Sequence, residues 1–151
     1  MRIGLIACCK QKHAYATQAQ YLYQSPMFKL SMDWIRKRCD EWAILSAKHG
    51  LVMPDQVLEP YDLALKDLPR LQLERWADDV HEQLVDRWSE QAIYMILAGH
   101  EYRKAVRQMP MVEDVIEHWT QMRIDSGMRR SRARMGIGLI LKALKEDRSY
   151  Y

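Results

Sequence analysis

The chain has few cysteines, no long apolar run and no repeated unit, and each shortage removes a class of protein. Cys8, Cys9 and Cys39 are the 3 cysteines of 151 residues. They make neither a disulfide framework nor a CxxC pair. The 5 histidines are scattered without ligand spacing, so no metal and no cofactor is expected. No apolar stretch approaches the roughly 18 residues of a membrane span. The N-terminus, MRIGLIACCKQK, carries only a short apolar run and no small-residue cleavage site, so it reads as a first strand rather than a signal peptide. A reducing cytoplasm is the expected location. With no linker and no low-complexity segment, residues 1–151 read as a single domain with one core.

Charge is close to balanced overall but unevenly placed. The net value is +3. Residues 1–50 hold 8 basic and 3 acidic groups, residues 51–122 hold 7 and 14, and residues 123–151 hold 8 and 3. If the two ends meet in space they form a basic face suited to a polyanion, with nucleic acid the usual candidate. The same counts also fit charged, solvated helices.

Three short apolar segments read as strands: Arg2–Cys8, Trp42–Ser46 and Ile93–Ala98. Ser25-Pro26 is a helix start, with Met27, Leu30, Trp34 and Ile35 on the face that follows. Pro69 opens a longer helix in which Leu73, Trp76, Ala77, Val80, Leu84 and Trp88 recur at three and four spacing. Tyr102, Ala105, Val106 and Met109 mark a short helix before Pro110. A last helix is expected over Met128–Lys145, and Met111–Ser126 reads as strand, helix or both. Alternation of strands and helices predicts an α/β three-layer sandwich, a short, mainly parallel sheet flanked by helices. Ligands in such folds bind outside the carboxyl ends of the strands. Each strand here ends in a polar cluster: Cys8-Cys9-Lys10-Gln11-Lys12-His13, Ser46-Ala47-Lys48-His49-Gly50, and Gly99-His100-Glu101-Tyr102-Arg103.

The richest stretch is WAILSAKHGLVMPDQVLEPYD, residues 42–62, where a buried-looking strand runs into a loop held by two prolines and a glycine. This block resembles the DUF6884 family. So do ACCKQK, the AxxLYxSxxF pattern at Ala19, Leu22, Tyr23, Ser25 and Phe28, the LAGxxY of Leu97–Tyr102, and a late GIG at Gly136–Gly138. The family comprises small bacterial, archaeal and phage domains, similar at a distance to peroxide-stress YaaA proteins and to uracil-DNA-glycosylase-like folds. The resemblance implies a single N-glycosidase-like domain of uracil-DNA-glycosylase-like fold. It further implies a DNA glycosylase in antiviral defence that acts on phage DNA carrying modified cytosine, such as glucosylated 5-hydroxymethylcytosine. No membrane and no obligate protein partner are implied. Alternatives are a nucleotide N-glycosidase on free nucleotides, or a non-catalytic DNA- or RNA-binding protein of YaaA type.

Cutting a base from its sugar needs a carboxylate for the oxocarbenium-like sugar, donors for the departing base, and an aromatic surface for a base outside the stack. Asp62 is the first candidate carboxylate, followed by Asp55 and Glu101. Asp62 reads equally as a cap for a helix over Leu63–Lys66, Asp55 as a turn residue, and Glu101 as a solvated first-turn acid. Lys48 and His49 are candidate donors or exposed loop groups, and Tyr61 and Tyr102 candidate stacking or core residues. Cys8, Cys9, Lys10, Ser46 and Gly99 join them as expected substrate contacts. Gly50 is expected to supply a positive φ or a close backbone approach. Lys12, Arg129, Arg130, Arg132 and Arg134 are the candidate phosphate track, if these arginines do more than solubilise a helix.

Overall fold

The structure, a computed structural model, describes residues 1–107, 109, 112–115, 117, 125, 127 and 129. The expected last helix, the GIG turn and Arg130, Arg132 and Arg134 fall outside the described residues.

At the centre is strand β1 (Arg2–Ala7), whose Ile3, Leu5 and Ile6 are wholly buried. It pairs in parallel with β3 (Glu41–Ser46) on one side and with β6 (Ile93–Leu97) on the other. Beyond β6 lies β7 (Val112–Asp114), also parallel. Beyond β3 lies β4 (Gly50–Val52), which runs antiparallel. The five-stranded order is β4-β3-β1-β6-β7. A separate antiparallel pair joins β2 (Thr17–Gln18) to β5 (Val57–Leu58).

The sheet is therefore mixed, which corrects the expectation of a mainly parallel one. The cause is local. After β3 the chain turns back at once through Ala47–His49 rather than crossing over, and a tight turn can only join antiparallel strands. Gly50 sits where the strand resumes with φ +71°, the positive value expected of it. A three-residue strand is too short to show a period, so the segment 47–62 read as loop.

Helices cover both faces. The period of two along each strand sends alternate residues to opposite sides. Ile6, Ile44, Met95 and Leu97 meet Phe28, Trp34 and Ile35 of helix α2 (Pro26–Arg38), which follows the one-turn α1 (Ala19–Leu22). Ile3, Leu5, Ala43, Leu45, Tyr94 and Ile96 meet Trp76, Val80 and Leu84 of α3 (Arg70–Trp88) on the other face. Each fully buried side chain of this size contributes about 1.5–3 kcal/mol from burial. Gly4 faces α2, and a methyl group there would run into the side chain of Ile35. The glycine thus sets how closely helix and sheet approach.

Helix α2 begins as its sequence predicts. Ser25 Oγ accepts from the Phe28 N–H at 3.0 Å, and Pro26 occupies the first turn. Its buried stripe differs from the expected one: Phe28, Ser31, Trp34 and Ile35 face inward, while Met27 is 42% exposed. Met27 lies one residue off the i, i+3, i+7 line through Phe28, Ser31 and Ile35. Trp34 and Trp76 are core as expected, and Trp88 is only partly buried, its indole donating to Glu41 Oε2 at 2.9 Å. Strand β6 leads into α4 (His100–Val106), which ends before Met109. In the ambiguous segment after it, strand β7 is followed by helical backbone at Val115 and Glu117. No helix among the described residues is long and apolar enough to cross a membrane.

Candidate functional site

Strands β1 and β6 are neighbours whose outgoing connections leave on opposite faces. The chain after β1 leads to α2 on one face, and the chain after β6 leads to α4, whose Val106 packs in the core of the other. Loops that diverge in this way open a crevice at the carboxyl ends of the strands. That crevice is present, with a volume of about 520 Å³. Its first wall is Cys8, Cys9, Lys10 and Lys12, directly after β1. The facing wall is Gly99, His100, Glu101 and Tyr102 at the start of α4. The segment from Asp62 to the 3-10 turn Leu65–Asp67 closes the third side. Three lysines, Lys10, Lys12 and Lys66, line it beside three acids, Asp62, Asp67 and Glu101.

The two walls are tied together. The Cys8 N–H continues the β1 ladder by donating to the Leu45 carbonyl at 2.9 Å. Its thiol shares a hydrogen bond with the Tyr102 hydroxyl at 3.0 Å. The Tyr102 ring stands edge-on to Trp76, centroids 5.7 Å apart, and the Trp76 indole donates to the Ser46 carbonyl at 2.8 Å. Burial holds the Tyr102 phenol neutral, well above its ordinary pKa, so it remains a proton donor at neutral pH.

Behind the first wall runs a chain of three hydroxyls. Tyr61 Oη lies 2.6 Å from Ser46 Oγ and 2.7 Å from Tyr23 Oη. Ser46 Oγ also accepts from the His49 N–H at 3.1 Å, which pins the turn after β3. Burial pushes Tyr23 up to about 12 and raises Tyr61 in the same direction. Lys12 Nζ sits 4.4 Å from the Tyr61 ring centroid, a cation over an aromatic face that steers this lysine at the cleft edge. The His49 ring meets Tyr61 edge-on at 5.3 Å. Its pKa is lowered by burial and then by the neighbouring Lys48, so it is neutral at pH 7.

The structure sorts the sequence candidates. Asp62 lines the cleft, is exposed, and has no hydrogen-bond or ion-pair partner among the described residues. It is not a helix cap: the following turn starts at Leu65 and has Ala64 at its cap position. Glu101 lines the same cleft from the first turn of α4. Asp55 does not join them. It is exposed in the turn between β4 and β5, where Pro54 and Gln56 carbonyls accept from Gln20 and Ala19. Cys8, Cys9, Lys10, Lys12, Gly99 and Tyr102 are brought together, whereas Ser46 and Tyr61 stand behind the wall and organise it. Lys48 and His49 are exposed in the turn after β3 and do not line the cleft, with Lys48 Nζ 5.9 Å from the Tyr61 ring centroid. Gly99 has φ −66° and open space where a Cβ would stand, so neither conformation nor crowding requires glycine there. Arg129 is exposed and lies in no element. Among the described residues no three His, Cys, Asp or Glu side chains gather as metal ligands would.

Sequence reasoning missed the third wall, Leu63–Asp67, and the role of Tyr23. The signal for the first was weak, a proline–tyrosine–aspartate turn followed by ordinary residues. For Tyr23 the AxxLYxS pattern was visible, but not that its hydroxyl reaches Tyr61, 38 residues away.

A family described as "Family of unknown function (DUF6884)" matches residues 3–129, a range that contains every wall of the cleft. An uncharacterized protein of Bacillus subtilis (strain 168), YfjM, is 29% identical over 114 residues, covering 70% of this chain and 74% of that one. With the strand ends, the SAKHGLVMPDQVLEPYD block and the LAGHEY turn all inside the matched range, the chain belongs to the DUF6884 family.

Proposed function

We propose that this protein is an N-glycosidase that removes a modified base from DNA, with glucosylated 5-hydroxymethylcytosine in phage DNA the leading substrate. The observation that carries the reading is Asp62: an unpartnered carboxylate on the wall of a nucleotide-sized cleft that three lysines also line. In the reaction the C1′–N bond breaks, its electron pair leaves with the base, and the sugar passes through an oxocarbenium-like state. A carboxylate beneath C1′ stabilises that charge or aligns the attacking water. The water adds its oxygen to C1′, one of its protons goes to the base, and an abasic site remains. Neutral Tyr102 is a donor suited to the departing base, and Lys10, Lys12 and Lys66 suit flanking phosphates. The proposal extends to a uracil-DNA-glycosylase-like fold, a cytoplasmic location and a role in antiviral defence. Glu101 is the second candidate carboxylate.

A second reading in the same chemistry is a glycosidase of free nucleotides, favoured by one observation: the lining balances three lysines with three acids and is not strongly basic. Incubation with DNAs of different base modification, followed by alkali, separates the readings. Strand scission on one modification, lost at least 100-fold in Asp62→Asn, supports the DNA glycosylase. Base release from mononucleotides alone supports the second reading. Absence of any released base by mass spectrometry, with salt-sensitive DNA binding retained, identifies a non-catalytic binder and overturns both.

A further inference from the structure

Next to the charged cleft lies a smaller chamber of about 210 Å³ with a different lining. One side is Met27, Phe28 and Ser31 from the start of α2, and the other is Ala7, Leu97 and Ala98 from the ends of β1 and β6. The chamber and the cleft share Cys8, Cys9, Gly99 and Tyr102, the hydrogen-bonded Cys8–Tyr102 pair standing between them. No charged side chain lines the chamber.

Ser31 is the informative residue. It is only 3% exposed, in the buried stripe of α2, and its hydroxyl has no hydrogen-bond partner among the described residues. The hydroxyl opens onto the chamber, where a ligand with a polar edge can take up its hydrogen-bonding capacity. The size of the chamber limits what can enter. A cavity of roughly 150 Å³ accepts benzene, so about 210 Å³ has room for a six-membered ring with short substituents.

We propose that this chamber is a subsite for a single-ring nucleobase, with Ser31 hydrogen-bonding its polar edge, Phe28 and Tyr102 supplying aromatic surface, and the attached sugar and phosphate lying in the cleft. The inference rests on the nucleotide-directed reading above and adds a size rule. Single-ring pyrimidines are expected to bind ahead of purines, and a bulky group on the ring, such as a hexose, is expected to project back into the cleft.

The test is ligand-observed NMR on the full chain with free cytosine, 5-hydroxymethylcytosine and adenine, and with inorganic phosphate as a probe of the cleft. The expected result is binding of both cytosines, at least tenfold weaker binding of adenine, and a further tenfold loss for cytosine in Ser31→Ala. Ser31→Leu, which fills the chamber, is expected to abolish cytosine binding while leaving phosphate binding unchanged. If Ser31→Leu melts early, Ser31→Ala alone carries the comparison. Equal cytosine affinity in wild type and Ser31→Ala, tighter binding of adenine, or no base bound by wild type overturns the subsite. Base binding without base release from any substrate leaves the subsite standing and overturns the glycosidase. Full glycosidase activity in folded Ser31→Leu does the reverse.

Discussion

Replacing Tyr61 by phenylalanine removes one oxygen and tests how the cleft wall is held. That oxygen makes two short hydrogen bonds, to Ser46 Oγ at 2.6 Å and Tyr23 Oη at 2.7 Å. A typical bond of this kind contributes about 0.5–1.5 kcal/mol net, and leaving a buried partner unsatisfied costs about 1–3 kcal/mol. Ser46 is fully buried but keeps the His49 N–H as a donor to its oxygen, so its loss falls at the low end. Tyr23 is 1% exposed and has Tyr61 as its hydrogen-bond partner, so it bears most of the cost. The sum is about 2–4 kcal/mol. Urea unfolding followed by tryptophan fluorescence measures it as a lower midpoint at unchanged slope. In Tyr23→Phe/Tyr61→Phe both ends of one bond are gone, so the double variant is expected to lose less than the two single losses added together. A loss below about 0.5 kcal/mol in Tyr61→Phe refutes the hydroxyl chain as the anchor of the wall. So does strict additivity in the double variant.

Two further predictions follow from the fold and its buried phenols. Gly4→Ala is expected to destabilise the protein by about 1–3 kcal/mol, because the added methyl meets the stiff, β-branched Ile35 in the core. Gly4→Ala is expected to cost less in an Ile35→Ala background than in the wild type, read by thermal melting; no such coupling sinks the steric argument. The second concerns alkaline pH. Tyr23 is raised by burial from 10.0 to about 12, so the unfolded chain loses this proton first. Stability is then full below pH 10 and falls as pH rises through 12, by up to about 1.4 kcal/mol per pH unit for this one group. Tyr61 and Tyr102 act in the same direction. Unfolding at stepped pH checks it, and a stability that is flat or rising across this window contradicts the burial of these phenols.

Much of the fold was legible because it rests on local pattern. The three apolar runs became β1, β3 and β6, since strands covered on both faces need continuous apolar residues whatever their neighbours. Ser25-Pro26 started α2, since capping is chemistry within four residues. Gly50 took a positive φ for the same reason. The elements that were not legible are the short ones. β2, β4 and β5 have two or three residues each, and only pairing with distant segments makes them strands.

The site divides along the same line. By itself the sequence determined that polar clusters follow the strands, that Cys8, Lys10, Gly99, Glu101 and Tyr102 stand at one edge, and that Asp62 sits in a stiff turn. Only the tertiary structure decided that Asp62 meets those residues across a cleft and Asp55 does not. It alone joined Tyr23 to Tyr61 and Ser46, and left the Ser31 hydroxyl facing a small apolar chamber. The physical reason is range. Propensity, capping and periodicity act over a few residues, whereas a cleft is made by side chains far apart in the chain that meet because the sheet orders its strands as β4-β3-β1-β6-β7.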